Sequence, residues 1–304
     1  MTTRYLDHDV QKETEGFQKI NIRKVGVRKI KIPILVKQRD TDNPFNTIAH
    51  ISAYCDLDKD KKGINMSRNS RILIKELSDT PIYLDNLSSI TEKLAIAHET
   101  NNIYLKLWFE YLYSLDSPVT GISSYEPCIV CMQVDYYNDN CRIYLQVISN
   151  ESSCCPCSKN MSLLKNNLSD NEVAKLADKL DLELYSKVIK AGYGAHNQRS
   201  EIDIKVELNK ENGIMWIEDI VEIAKKSASS PTFNVLKRED ERWVTIRQYE
   251  NPKFVEDVAR DAASLLNKEL DKRINDYIVV VNNDESIHTS LIATAIIDAD
   301  RELR

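Results

Sequence analysis

Three thiols stand within four residues at Cys154, Cys155 and Cys157, in "CCPCSKN", and farther along "GYGAHNQRS" (Gly192 to Ser200) gathers His196 and Arg199. Thiolate and imidazole are favoured ligands for a borderline-soft divalent metal, and a catalytic site of that kind takes about three protein ligands with one position open for water. Cys155 or Cys157 with His196 could supply two of them. An isolated pair of cysteines would read as a buried turn, and a lone His196 as a loop residue. Three thiols beside Pro156 weigh against that plainer account.

Three further segments hold groups able to move protons or bind anions. "LKREDERWVT" sets Lys237 and Arg238 beside Glu239, Asp240 and Glu241, as either a solvated charged loop or a phosphate and metal site. "FVEDVARD" places Glu256 and Asp257 in the first turns of a helix, where carboxylates also suit the helix dipole. "DESIHTS" puts Glu285 three residues before His288, at a turn entering the last strand. Taken singly, each suits a structural role; together they need a common reason. Cys128 and Cys131 form a CxxC, but "PCIVCMQV" is apolar and strand-like, and residues three apart on a strand face opposite sides. They read as core cysteines, as do Cys55 and Cys141.

The elements that must position these groups follow from periodicity. "INIRKVGVRKIKIPILV" spaces Val25, Val27, Ile30, Ile32 and Ile34 close to the two-residue strand period. "NTIAHISAYCDL" is a second strand, "SRNSRILIKEL" and "NLSSITEKLAIAHETNN" are helices, and "IYLKLWFEYLYSL" and "PCIVCMQVDYY" are strands. The second half repeats the order, with strands at "NCRIYLQVIS", "SEIDIKVEL", "DYIVVVNN" and "HTSLIATAIID". Its helices are "GIMWIEDIVEIAKKS" and "NPKFVEDVARDAASLLNKELDKR", the latter capped by Asn251 with Pro252 in its first turn. The pattern predicts two tandem ββααββ units of an α+β fold, forming a continuous antiparallel sheet with helices on one face. The expected divisions are a polar arm at 1–19, a first unit at 20–137 and a second at 138–304, with a helical insertion at about 161–191.

With 304 residues, 42% of them hydrophobic, the chain can fill a sizeable core. Its 41 basic and 47 acidic residues lack the cationic footprint of a nucleic-acid binder, so an anionic ligand needs a local basic pocket. No run of about 18 apolar residues spans a membrane, and "MTTRYLDHDVQKETEG" is too polar for a signal peptide, which reads as a soluble, cytoplasmic protein. Seven cysteines, an odd number, suit reduced thiols better than a secreted disulfide framework.

"CPCSK", "GAHNQRS", "LKREDE", "YENPKFVEDVARD" and "ESIH", in this order, resemble the motif series of the type IB GTP cyclohydrolase I family, relatives of the archaeal GTP cyclohydrolases. "VGVRKIKIPI" and "KGINMSR" resemble its first half, so the likeness runs from about Ile20 to the C-terminus. It implies the tunnelling fold, usually a homotetramer with active sites between subunits, and a reaction in which GTP and water give 7,8-dihydroneopterin triphosphate and formate. It implies a divalent metal, Zn2+ or alternatively Fe2+ or Mn2+, on Cys155 and His196, with Glu241, preferred to Glu239, and His288 near or on it. Glu285, His288 and His196 would be the catalytic acid and base set and Glu256 the guanine anchor. Arg199, Lys237, Arg238 and Lys159 would meet the triphosphate. The pterin would feed folate or deazaguanine biosynthesis. Two departures stand out: the family brings its Cys and His motifs close in sequence, whereas here the helical insertion separates them, and Asn65 in "KGINMSR" stands where the pattern commonly has His. Rival readings are an archaeal-type enzyme giving the cyclic phosphate, a tunnelling-fold deazaguanine nitrile reductase with a thiol nucleophile, and a protein whose cysteines only staple a zinc.

Overall fold

Branched apolar residues alternating with lysine and arginine make β1 (Ile22–Gln38) a strand with one dry face, and β2 (Thr41–Leu57) returns beside it as a hairpin. β2 begins five residues before the expected Asn46, because the polar run from Thr41 still pairs with the end of β1. The computed structural model describes residue 11, residues 15–78 and residues 80–299; of the polar arm expected at 1–19, residues 1–10 and 12–14 lie outside this set. After the hairpin come α1 (Met66–Leu77), α2 (Leu84–His98), β3 (Asn102–Asp116), β4 (Ser123–Tyr137) and β5 (Asn140–Cys154). The chain then makes a detour through α3 (Pro156–Met161), a 3-10 turn (Leu164–Asn167), α4 (Asp170–Lys179) and α5 (Leu182–Lys190) before β6 (Asn197–Leu208). It finishes with α6 (Ile217–Ser227), α7 (Arg238–Glu250), α8 (Val255–Leu265), β7 (Ile274–Asp284) and β8 (Ile292–Asp298).

Among the described residues the strands form one eight-stranded antiparallel sheet in sequence order, β1 to β8, so the α+β reading with an antiparallel sheet holds. Helix α1 packs on β1, α2 on β3 and β4, α6 on β5, and α8 on β7 and β8. The inward faces of sheet and helices meet in one apolar core that runs from Ile34, Leu73 and Leu105 through Val147 to Ile204, Val258 and Val279. Cys55, Cys128 and Cys131 are buried, as expected of core cysteines, and burial raises their thiols, to about 11 for Cys55 and about 12 for Cys131. The opposite sheet face is amphipathic: Lys24, Lys106 and Lys205 lie over the rings of Tyr104, Trp108 and Tyr144, at 3.7, 4.8 and 4.5 Å.

Two helix starts differ from expectation. The "KREDE" segment, open between loop and site, is the first turn of α7. Asn251 ends α7 as its C-cap and donates its side-chain amide to the carbonyls of Ala228 and Ser229, at 3.2 and 3.0 Å, while α8 starts at Val255 behind Phe254. An Asn-Pro pair stops one helix as readily as it starts another, because the residue before proline avoids the helical region. Phe254, the N-cap residue of α8, is 42% exposed.

One buried group gives the fold a pH signature. Glu151 of β5 is 1% exposed and accepts hydrogen bonds from the Ser149 hydroxyl at 2.7 Å and the Thr232 amide at 3.0 Å. Burial pushes its carboxyl from 4.5 up to about 7, outweighing those two donors and Lys225, while Glu126 adds to the rise. Between these values the folded chain holds a proton that the unfolded chain has released, so this group's contribution to stability falls as pH rises through about 7. Glu151→Gln should flatten the fall of Tm across that window, measured by calorimetry on both proteins. A slope equal to that of the unsubstituted protein would refute the assignment.

Candidate active site

The detour between β5 and β6 is closed at its base, and that closure builds the site. Residues of the two strands pair to the end of the ladder, Cys154 opposite Asn197, and the next amide, Cys155 N–H, donates to the His196 carbonyl at 3.1 Å. Beyond it Leu164 N–H donates to the Ala191 carbonyl at 2.9 Å, and Tyr193 N–H to the Ser162 carbonyl at 3.1 Å. The intervening helices therefore loop out, and the motifs they separate in sequence become neighbours. Glycine is required here. A Cβ on Gly192 would sit 2.5 Å from the Tyr249 hydroxyl and 2.9 Å from the Ser162 carbonyl, and Gly194 adopts φ +126° while its carbonyl accepts from the Ser162 hydroxyl.

Ser158 knots the two motifs together. Cys155 is the N-cap of α3, and its sulfur accepts from Ser158 N–H at 3.5 Å. The Ser158 hydroxyl donates to the Cys155 carbonyl at 3.3 Å and accepts from His196 N–H at 3.2 Å. The imidazole Nδ1 of His196 lies 3.0 Å from Gln198 Oε1, and Gln198 Nε2 donates to Glu285 at 3.2 Å and to the Ser153 hydroxyl at 3.4 Å. Glu285 thus joins His196 through one carboxamide. It opens the turn at the end of β7, where its N–H donates to the Leu291 carbonyl and its own carbonyl accepts from His288 N–H. Cys154, by contrast, is buried, and burial raises its thiol against the pull of Lys159.

The other expected residues surround this knot at different distances from solvent. Arg199 projects from β6 into a cleft of about 470 Å³ that is also lined by Ser152, Gln198, Phe233, Gln248 and Asp284. A larger cleft, about 1030 Å³, lies on the open sheet face around His50 and Trp108; Arg28 and Lys29 of "VGVRKIKIPI" line it, and none of the expected catalytic, metal or substrate residues does. Lys159 stands over the Tyr249 ring at 4.7 Å. Lys237, Arg238 and Glu241 are exposed at the start of α7, and Glu256 is exposed in the first turn of α8. Gln248 ties α7 to the site, since its side-chain amide donates to Ser152 at 2.7 Å and its carbonyl accepts from Asn197 at 2.7 Å. Glu241 is seven residues upstream of Gln248, on the same helix face and about 10 Å along the axis.

The donor chemistry of Cys155 and His196 fits a divalent metal, with a thiol at a helix N-terminus and an imidazole anchored through one nitrogen. Among the described residues no three His, Cys, Asp or Glu side chains gather into a metal-holding group. Cys155, His196, Glu241 and His288 are therefore not assembled as a four-ligand set within one chain.

Residues 8–292 match the family model described as type I GTP cyclohydrolase folE2. The chain is 35% identical over 281 residues to GTP cyclohydrolase FolE2 of Thermosipho africanus (strain TCF52B), covering 92% of this chain and 93% of that one. It is 33% identical over 285 residues to GTP cyclohydrolase FolE2 of Nitrosomonas eutropha (strain DSM 101675 / C91 / Nm57), covering 93% and 92%. A solved structure of a highly active BTUO mutant crystallised without dehydration is 7% identical and superposes with a TM-score of 0.50 over 92% of this chain and 99% of that one, a likeness of fold alone.

Sequence reading passed over Asp240 in favour of its neighbours, yet it is the buried member of "KREDE". Its carboxylate accepts from Val119 N–H at 2.8 Å, Thr120 N–H at 2.9 Å, the Thr120 hydroxyl at 2.7 Å and Lys237 N–H at 3.0 Å. It clamps the start of α7 to the turn between β3 and β4. Burial works against the charge, but the donors of Thr120, Lys237 and Val119 win and hold the carboxyl well below the usual carboxylate range. The stability it adds is present above the ordinary carboxyl value of about 3.9 and is lost as pH falls below it. Asp240→Asn should lower Tm at neutral pH, with the deficit shrinking below about pH 4; an equal Tm at neutral pH would remove the clamp.

Proposed function

The chain belongs to the type I GTP cyclohydrolase family called FolE2, and from that premise we propose that it opens the imidazole ring of GTP with water, releasing formate and yielding 7,8-dihydroneopterin triphosphate. The reading rests on one observation above the others: the Cys155 amide donates to the His196 carbonyl at 3.1 Å, so the two motifs share a site despite the helices between them. Glu285 reaches the same site through Gln198.

Water must add at C8 of guanine, where neither partner is reactive by itself. Cys155 and His196 would hold a divalent metal, with Glu241 and His288 to complete its shell. Such an ion, once bound, lowers the pKa of water towards about 7 and holds that water in place. Glu285, tied to His196 through Gln198, or His288 would pass protons as the ring opens and formate leaves. Glu256 would anchor the base, because one ionised carboxylate accepts two parallel hydrogen bonds from a ring N–H and an exocyclic amine. Arg199 in the cleft, Lys159 beside Tyr249, and Lys237 and Arg238 at the start of α7 supply the local cation that an acidic chain needs for a triphosphate. In the same reading the chain would be of the IB subtype, on the resemblance of its motifs, with two tunnelling-fold units at 20–137 and 138–304. Four copies would assemble with active sites at subunit interfaces, in the cytoplasm. Among the described residues no helix is long and apolar enough to cross a membrane.

Metal-stripped protein given GTP should yield formate and a fluorescent pterin only after Zn2+, Fe2+ or Mn2+ is restored, each tried alone. Cys155→Ala or His196→Ala should reduce formate release to background in a protein that keeps its Tm; full activity in either would remove that residue from the site. Losing a hydrogen bond to a charged group costs about 1.5–3 kcal/mol, so Glu256→Gln should raise KM roughly 10- to 100-fold with a smaller change in kcat. An unchanged KM would end the anchor role.

A further inference from the structure

His196 has two ring nitrogens, and only one of them is held. We infer that Gln198 is a positioning residue that fixes His196 as the Nδ1–H tautomer, leaving the Nε2 lone pair as the ring's ligating atom, while tethering Glu285 with the other end of the same carboxamide. The inference rests on the reading that His196 serves a metal.

A carboxamide has one end that only accepts and one that only donates. Gln198 is 7% exposed on the inward face of β6, so neither end can turn freely to water. Its nitrogen end meets Glu285 Oε1 at 3.2 Å and the Ser153 hydroxyl at 3.4 Å. An ionised carboxylate offers no proton, so the reverse orientation would set the amide oxygen against a carboxylate oxygen with nothing between them. That fixes Oε1 toward His196, 3.0 Å from Nδ1. Facing an acceptor, Nδ1 must carry the proton, and the lone pair of the neutral ring is then on Nε2.

Further contacts stop the arrangement from rotating away. Ser153 is fully buried, and its hydroxyl also accepts from the Asn283 amide at 3.0 Å, so the donor end of Gln198 sits against a fixed partner. The backbone N–H of His196 is held by the Ser158 hydroxyl at 3.2 Å, and Ser158 in turn holds Cys155. Gln198 therefore transmits the position of β7, through Glu285 and Asn283, to the imidazole. Outer partners of this kind orient a ligating ring and raise its basicity, and their loss costs about 10- to 100-fold in metal affinity.

The test reads the tautomer directly. Long-range proton–nitrogen NMR of metal-free protein labelled in its histidines, recorded well above the ordinary histidine pKa of about 6.5, should show His196 with a protonated Nδ1 and a pyridine-type Nε2. Assignment comes from the signal lost in His196→Ala. Gln198→Leu should move that signal toward the Nε2–H form and weaken zinc binding about 10- to 100-fold in chelator competition. Gln198→Glu keeps an acceptor for Nδ1–H, so its His196 signal should stay in the Nδ1–H form, while the second carboxylate it sets against Glu285 should lower kcat. An Nε2–H ring in the unsubstituted metal-free protein would overturn the inference even if Gln198→Leu failed to fold. Unchanged zinc affinity in Gln198→Leu would overturn it as well. If zinc binds equally well to the unsubstituted protein and to His196→Ala, the metal reading fails, a result separate from the tautomer seen in the metal-free spectrum.

Discussion

The antiparallel ladder between β5 and β6 is the constraint on which the site depends. It runs in unbroken register from Tyr144 opposite Glu207 to Cys154 opposite Asn197, and its last backbone hydrogen bond joins Cys155 to His196. A chain that leaves a sheet for a long helical excursion normally loses the positional memory of its strands. Here the strands pair up to the departure point, and the bonds between Leu164 and Ala191 and between Tyr193 and Ser162 close the loop just outside it. The separation in sequence then costs only loop-closure entropy, which grows slowly with length. The geometry at the neck is indifferent to how many residues lie beyond.

That neck explains why small residues cluster in "GYGAH". Gly192 lies against the Tyr249 hydroxyl and the Ser162 carbonyl, so the same close approach that shuts the excursion also docks α7. Helix α7 is held at both ends by polar contacts: Asp240 clamps its start to Val119 and Thr120, and Asn251 fastens its end to Ala228 and Ser229. Between them, Gln248 bridges Asn197 and Ser152. The charged first turn with Lys237, Arg238 and Glu241 is thus fixed at the β3–β4 turn, while the other end of the helix is held on β5 and β6.

Much of this was legible in the sequence, and what was not has physical causes. Two-residue and helical periods revealed the strands and most helices because burial on one face imposes them. Long unusual motifs singled out Cys155, His196 and Glu285, which hydrogen bonds make neighbours in the fold. Gln198 was passed over as an ordinary polar residue between two conspicuous ones, though the alternation Gln198, Ser200, Ile202, Ile204 already set it on the inward face. Asp240 had a local signal only for its bond to the Lys237 amide at the helix start; its clamp partners Val119 and Thr120 lie 121 and 120 residues away. Asn251 was misread because Asn-Pro marks helix ends and starts alike. Sequence order says nothing about which side chains converge, so the expected grouping of Glu241 and His288 with Cys155 and His196 is not found among the described residues.

The inward face of β5, β6 and β7 changes character along its length, and the direction of the change matters. At one end it is apolar, with Ile143, Leu145 and Val147 beside Ile204, Val206 and Val279; toward the neck it becomes Ser149, Glu151 and Ser153 beside Gln198, Ser200 and Asn283. All six polar residues are buried, and the Ser200 hydroxyl and the Asn283 carbonyl oxygen have no hydrogen-bond partner among the described residues. An unmet buried polar group costs about 1–3 kcal/mol, so an apolar face continued to the end would hold the sheet together better. A fold selected for stability alone would not place unmet polar groups where two strands converge on a thiol and an imidazole. The gradient is what a sheet requires if its last rungs must orient those side chains, because apolar contacts fill space without fixing which way a ring faces, whereas a carboxamide held between a carboxylate and a hydroxyl fixes it.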